Sequence, residues 1–403
     1  MNDKKEILVY ITAISPFGNT GQNTFEKQFI SQFMTTSNVQ KNYNCFAFYP
    51  ILKKKTNYIK TRSNEYQFLQ KGKSSLNYLF GQSRFFLIFL IFLFKNRRKK
   101  IKVLMRYHET MIAPLILSYF FRYDIVIRTG PILPNLFVYK KDPSKLLYSF
   151  IKLSLGLYYR RAQNIITVTK TIKDWVIKAY DIDESKINII PNGVNTNLFF
   201  PELPNKEKTE NKERLTLGYV GYIYEDTGLD TILDAFGYLQ NKNIPLPKLI
   251  IVGGGDYIKI LKQKAENMGI SENIEWVGAV NQTFVREYIL KCDMMLGPFP
   301  KRVFEITGSS SLKLLEYLAC NKPILASYAE DHLFIDENNL GVLVEPENTV
   351  LWAKEIENLK TTLQKLPIKG FEYVKSNHTL TKQVNIYTSL LINKKMSKLF
   401  EKE

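Results

Sequence analysis

The sequence predicts an α/β protein built as two doubly wound, Rossmann-like domains facing a central cleft. Three observations predict it. Apolar strand-like runs alternate with helix-spaced runs in both halves of the chain. At 403 residues the chain is too long for one ordinary core. A charged, apolar-poor stretch, PELPNKEKTENKER at 201–214, separates the halves as a linker would. The expected division is 1–200, the linker 201–214, 215–380, and a last helix within 381–403 returning toward the first domain. Paired domains of this kind hold a ligand in the cleft between them.

In the first half, Glu6 to Ser15 reads as a strand, followed by a turn with Pro16, Gly18, Asn19 and Gly21. Phe25, Phe29, Ile30 and Phe33 then fall at helical spacing. Strand, glycine-bearing loop and helix open a Rossmann-like unit, although no full GxGxxG is present and the loop is also compatible with a plain tight turn. Lys102 to Tyr107 and Asp124 to Thr129 read as further strands. His108 and Arg128 stand at their carboxyl ends, where open parallel sheets bind ligands. His108 is therefore a candidate base or acceptor contact, or else a structural histidine.

Charge is concentrated in this half. Residues 1–205 carry 31 Lys and Arg against 12 Asp and Glu, within a chain whose net charge is +18. Such a half favours an anionic surface. Residues 85–94 are ten consecutive apolar positions, FFLIFLIFLF, followed by a block containing Lys95, Arg97, Arg98, Lys99 and Lys100. The run is too short to span a bilayer, which takes roughly 20 residues. It fits a core helix, but the polybasic neighbour favours an interfacial anchor on an anionic leaflet, with Phe85, Phe86, Phe92, Phe94 and the five cations in contact. The aromatics are bunched and not interleaved with the cations, which argues against nucleic acid. Three cysteines without metal-type spacing argue against a disulfide framework or a zinc site. The opening MNDKKEILVYITAIS enters a strand pattern directly, so no secretory signal and a cytoplasmic location at the inner face of the plasma membrane are expected.

The second half repeats the alternation. Strands at Leu215–Val220 and Lys248–Val252 are followed by the glycines Gly221 and Gly253–Gly255, and a strand at Ile274–Val277 by Gly278. The most informative stretch is GSSSLKLLEYLAC, Gly308 to Cys320. Gly308, Ser309, Ser310 and Ser311 precede an apolar helical pattern beginning at Leu312, so that free backbone N–H groups could hold a phosphate. Lys313 places a positive charge in the first turn, where the helix dipole disfavours one and a bound anion would justify it. Glu316 lies near the apolar positions and needs a partner such as ribose hydroxyls. A surface helix with a Ser-rich cap and an exposed Glu–Lys pair is the plainer alternative.

Taken together, IIPNGVNTNLFFP, YVGYIYEDTGLDTILDAF, LIIVGGGDYIKILKQKA, NIEWVGAV, CDMMLGPFP and SSLKLLEYLACNKPILAS resemble, in order and spacing, the GT-B retaining glycosyltransferases of family 4, also called glycosyl transferases group 1. The likeness covers about Ala162 to Glu347. It implies a UDP- or GDP-sugar bound mainly by the second domain and an acceptor on the first, with no metal or other cofactor. By resemblance, Glu316 binds the donor ribose and amides near Ser310 to Leu312 hold the diphosphate. Gly278 lies by the base, Gly21 approaches the phosphate, and Gly221, Tyr222 and Gly253 belong to the donor loops.

The chain departs from the family pattern in three places. Gly308 stands where the first of two glutamates is usual, with Glu305 three residues early. Tyr222 and Thr227 replace the usual loop Arg and Lys, so Lys313 is the expected substitute cation, with Lys301 or Arg302 as helpers. The usual first-domain histidine would fall near Thr129 and Gly130. The function implied is sugar transfer to a lipid-linked or glycan acceptor in bacterial-type cell-surface glycan assembly, with Glu316, Lys313 and His108 as the catalytic candidates. A degenerate subunit that binds nucleotide or a partner without transfer is the alternative, and a nucleotide-sugar epimerase a third.

Overall fold

The computed structural model describes residues 6–17, 21–35, 43–51, 64–69, 75–108, 111–129, 145–202, 214–307 and 312–392. The chain divides into two compact units, Met1–Pro191 with Thr381–Glu403, and Asn192–Leu380.

The first unit is a seven-stranded parallel sheet. In chain order its strands are β1 (Glu6–Ile11), β2 (Tyr43–Ile51), β3 (Glu65–Leu69), β4 (Ile101–Arg106), β5 (Asp124–Arg128), β6 (Asn164–Thr167) and β7 (Ile187–Ile189). Their spatial order is β3-β2-β1-β4-β5-β6-β7, the reversal beside β1 being the switch point of a doubly wound fold. The helices are α1 (Gly21–Thr35), α2 (Ser75–Lys95), α3 (Ala113–Phe121), α4 (Lys145–Arg161) and α5 (Lys170–Tyr180). Period-two alternation splits β1 between two layers. Ile7, Val9 and Ile11 join the core made with α2 to α5, while Tyr10 packs on Phe29 and Phe33 of α1. The final helix of the chain spans Leu380–Ile392. Its Tyr387 ring meets Phe29 at 5.6 Å, and its last carbonyl, of Ile392, accepts from buried Lys102 at 2.9 Å.

The apolar run 85–94 lies within α2, a 21-residue helix. Phe85, Phe89, Phe92 and Leu93 are in the core, whereas Leu87, Ile91 and Phe94 are exposed. A helix lying on a sheet can bury only one stripe of its surface. Phe85 and Phe92 are therefore not available to a membrane and Phe86 is half-buried, a correction to the expected contact set. Phe94, Lys95, Arg97, Arg98 and Lys100 are exposed and Lys99 is half-buried. No described helix is long and apolar enough to cross a membrane.

The second unit is a six-stranded parallel sheet ordered β10-β9-β8-β11-β12-β13. Its strands are β8 (Thr216–Val220), β9 (Lys248–Val252), β10 (Ile274–Gly278), β11 (Met294–Gly297), β12 (Ile324–Ser327) and β13 (Gly341–Val344). Helices α6 (Leu229–Asn241), α7 (Ile258–Asn267) and a helix at Thr349–Glu357 supply one apolar layer. Helices α8 (Gln282–Lys291) and α9 (Leu312–Ala319) supply the other. Residues 192–200 belong to this unit, not to the first. Val194 and Phe199 are buried in its core, and the Arg286 side chain lies over Phe200 at 3.7 Å while donating to the Phe200 carbonyl.

Candidate functional site

In the second unit the candidate residues collect around the carboxyl ends of β8, β9 and β10. Three backbone bonds tie the loops that leave these strands. Gly221 N–H donates to Val252 O at 3.0 Å, Ile223 N–H to Gly254 O at 2.9 Å, and Gly253 N–H to Gly278 O at 2.8 Å. Gly253 has φ +149°, and a Cβ there would collide with the Gly221 carbonyl. Only glycine permits that approach. Gly278 has φ +82° but faces open space, with nothing within 4 Å of a would-be Cβ.

Tyr317 fixes α9 on β8. Its hydroxyl accepts from Val220 N–H at 2.9 Å and donates to Val220 O at 3.0 Å. Lys313, four residues earlier, lies on the same helix face. Its ammonium does not run out to solvent. It donates to Tyr219 Oη at 2.9 Å and lies 4.5 Å from the Tyr219 ring centre and 5.1 Å from that of Phe299. A Cβ on Gly221 would come within 3.1 Å of the same nitrogen. Two aromatic faces, a phenol oxygen and a bare glycine thus form the seat of one cation.

The electrostatics follow from that enclosure. Burial lowers the Lys313 ammonium to about 8, an effect opposed by the nearby Tyr224 and Glu316. Burial also raises the Glu316 carboxyl to about 8, opposed by Lys313. Both side chains keep some accessible surface, but the protein around them removes most of their water. Burial thus favours the neutral form of each, and a protonated Glu316 can donate as well as accept a hydrogen bond.

The positions where Arg and Lys were expected carry no charge. Tyr222 is exposed, donates to Asp256 Oδ2 at 3.3 Å and stacks on Tyr224 at 6.4 Å. Thr227 is buried and donates to Tyr224 O at 2.9 Å, closing its own turn. Arg302 is engaged by buried Asp226 and lies 3.9 Å from Glu225, so its charge is already balanced. Lys301 is exposed and its backbone N–H donates to Glu347. Gly308, Ser309, Ser310 and Ser311 lie outside the described residues. Leu312 is the first residue of α9.

In the first unit, Gly21 opens α1, and His108 stands two residues beyond β4 and half-buried. Arg106 and Arg128 are register partners at the ends of β4 and β5. Buried Glu26 accepts from Tyr10 Oη at 2.6 Å, pairs with Arg106 and lies 3.9 Å from Arg128. The Arg128 guanidinium also covers Phe25 at 4.8 Å and Tyr387 at 5.9 Å. Sequence reasoning missed Glu26 and Arg106. The available signal was a carboxylate inside the Phe25–Phe33 helical stripe and arginines ending two strands.

The comparisons with known proteins agree with this architecture. The Glycosyltransferase Family 4 model matches residues 49–198, and the Glycosyl transferases group 1 model matches residues 202–365. The O-antigen chain mannosyltransferase RfbU of Salmonella typhimurium is 23% identical, over 52% of this chain and 55% of that protein. The chain spans about half the length of the curated relatives it matches. The sucrose-phosphate synthase of Thermosynechococcus elongatus aligns with TM-score 0.73 at 15% identity, over 96% of this chain and 98% of that one. Anabaena HepE in complex with UDP aligns with TM-score 0.64 at 15% identity, over 96% and 99%. One glycosyltransferase family model thus matches each half of the chain, and the fold beneath both is GT-B.

Proposed function

We propose that this protein moves a sugar from a UDP- or GDP-sugar to a lipid-linked or glycan acceptor, with retained anomeric configuration and without a metal. It would work at the inner face of the plasma membrane in surface-glycan assembly. One observation carries the reading: the seat that Tyr219, Phe299 and Gly221 build for the Lys313 ammonium. As the bond from sugar C1 to the β-phosphate oxygen breaks, its electron pair leaves with the nucleoside diphosphate. A fixed cation in a water-poor site stabilises that charge without reorganising. Glu316, three residues further along α9, would meet the ribose hydroxyls, with Gly278 beside the base. His108, at a strand end of the other unit, is the proposed acceptor contact.

The UDP in the HepE complex supports a nucleotide-linked donor, and the RfbU likeness supports a surface-glycan acceptor. The test is hydrolysis and transfer against a panel of UDP- and GDP-sugars with anionic vesicles, run beside Glu316→Ala. Turnover of one donor that is lost in the variant is the expected result. Tight nucleotide binding without turnover would favour a non-transferring subunit instead.

A further inference from the structure

Helices α2, α3 and α4 lie side by side on one face of the first sheet. Their outward stripes are apolar. Leu87, Ile91 and Phe94 are exposed on α2, Tyr119 and Phe120 on α3, and Phe150 and Leu153 on α4. With exposed Ile116 added on α3, each set follows helical spacing, so the apolar face is continuous with the fold and not a frayed end. Phe94 and Phe121 meet edge to face at 5.2 Å and join α2 to α3.

At the carboxyl ends of α2 and α3, opposite the strand ends that carry Arg106 and His108, the surface sinks into a cavity of about 190 Å³. Arg97, Lys99, Lys100, Arg122, Asp124 and Phe121 are among its lining residues. Some of this charge has a local use. Arg97 donates to the Phe94 carbonyl, Lys100 pairs with Glu6 at 3.2 Å, and Asp124 accepts from Gln163. Two helix ends together present about one negative charge, and Glu6 and Asp124 add two carboxylates. Arg97, Lys100 and Arg122 balance that sum, and exposed Arg98 and Lys95 tip the rim to positive. Arg122 is also placed at a backbone cost. It caps α3 at φ +50°, in the left-handed region where glycine is the usual choice.

We infer that this cavity takes the phosphate of an anionic phospholipid while the exposed stripes of α2, α3 and α4 enter the headgroup boundary. The inference rests on the membrane-surface part of the proposed function and deepens it by naming the lipid contact. The cavity is smaller than the roughly 300 Å³ lower bound of small-molecule sites, which suits a phosphate headgroup and not a nucleotide sugar. Apolar side chains bordered by surplus cations match an anionic leaflet. A second copy of the chain on the same face would set this cationic rim against itself.

The test is sedimentation of the full chain with vesicles of phosphatidylcholine alone or mixed with phosphatidylglycerol, for the wild type, Arg122→Gly and Phe120→Ser. Arg122→Gly removes the charge while suiting the backbone, and an unchanged melting temperature would report its fold. The wild type should bind only the mixed vesicles, Arg122→Gly about fivefold more weakly, and Phe120→Ser more weakly as well. Undiminished binding by Arg122→Gly would overturn the cavity assignment and leave the surface reading standing. Equal binding to phosphatidylcholine alone would overturn the headgroup assignment. No vesicle binding by the wild type would overturn both, whether inorganic phosphate binds in an Arg122-dependent way or Phe120→Ser dissolves a dimer.

Discussion

The Tyr219 hydroxyl accepts a 2.9 Å hydrogen bond from the Lys313 ammonium, across 94 residues of chain. The contact fixes where the one charge in the first turn of α9 can act. Truncating only the hydroxyl, in Tyr219→Phe, keeps the aromatic face and removes the acceptor. Hydrogen bonds to charged groups contribute about 1.5–3 kcal/mol. The expected outcome is a loss of roughly tenfold or more in UDP or GDP affinity by calorimetric titration, with a small change in melting temperature.

Diphosphate affinity should fall as pH rises through about 8. Lys313 in the free protein loses its proton near that value because burial disfavours its charge. Glu316 becomes an anion in the same window, since burial raises it to about 8. Both changes oppose an incoming anion, so the signs add. A bound diphosphate raises the Lys313 pKa, and binding near pH 8 should therefore take up protons. Titration in two buffers of different ionisation enthalpy measures that uptake, and affinity that stays level up to about pH 9.5 would exclude Lys313 as the phosphate ligand.

The two loop glycines should separate stability from binding. Gly253→Ala places a methyl against the Gly221 carbonyl at φ +149°, so thermal unfolding should report a loss of about 1–3 kcal/mol. Gly278→Ala meets nothing within 4 Å and carries only the cost of φ +82°, about 1–2 kcal/mol. If the base lies beside Gly278, its alanine variant should lose more nucleotide affinity than stability. Equal effects on both in the two variants would remove Gly278 from the site.

Much of this was legible from residue order. Strand and helix alternation, the glycines closing β8, β9 and β10, and the out-of-place charge at Lys313 are local features, and local patterns survive without coordinates. The seat of Lys313 was not legible. Tyr219 reads as one more apolar strand residue, and Phe299 as part of a proline turn, until folding sets them over the same nitrogen. The apolar run 85–94 misled for a related reason. Ten apolar residues in a row hide the helical period that sends Phe85 and Phe92 inward and Leu87 and Ile91 outward.

Glu26 in the first unit is fully buried between Tyr10, Arg106 and Arg128. Glu26→Gln leaves two guanidiniums without their carboxylate, and breaking a buried ion pair costs about 3–5 kcal/mol. Denaturant unfolding should show the loss as a lower midpoint. An unchanged midpoint would mean that water reaches the cluster and screens it.

Titrating UDP and GDP into the wild type and Lys313→Met, with melting temperatures taken on the same samples, asks whether the seated Lys313 cation holds the diphosphate. A lysine held at about 8 instead of 10.5 is strained by its own burial, by up to about 3 kcal/mol. Lys313→Met should melt no lower than the wild type, and higher if the methionine packs on Tyr219 and Phe299, while its nucleoside diphosphate affinity falls at least tenfold. Unchanged affinity in a well-folded Lys313→Met would mean that Lys313 does not hold the diphosphate.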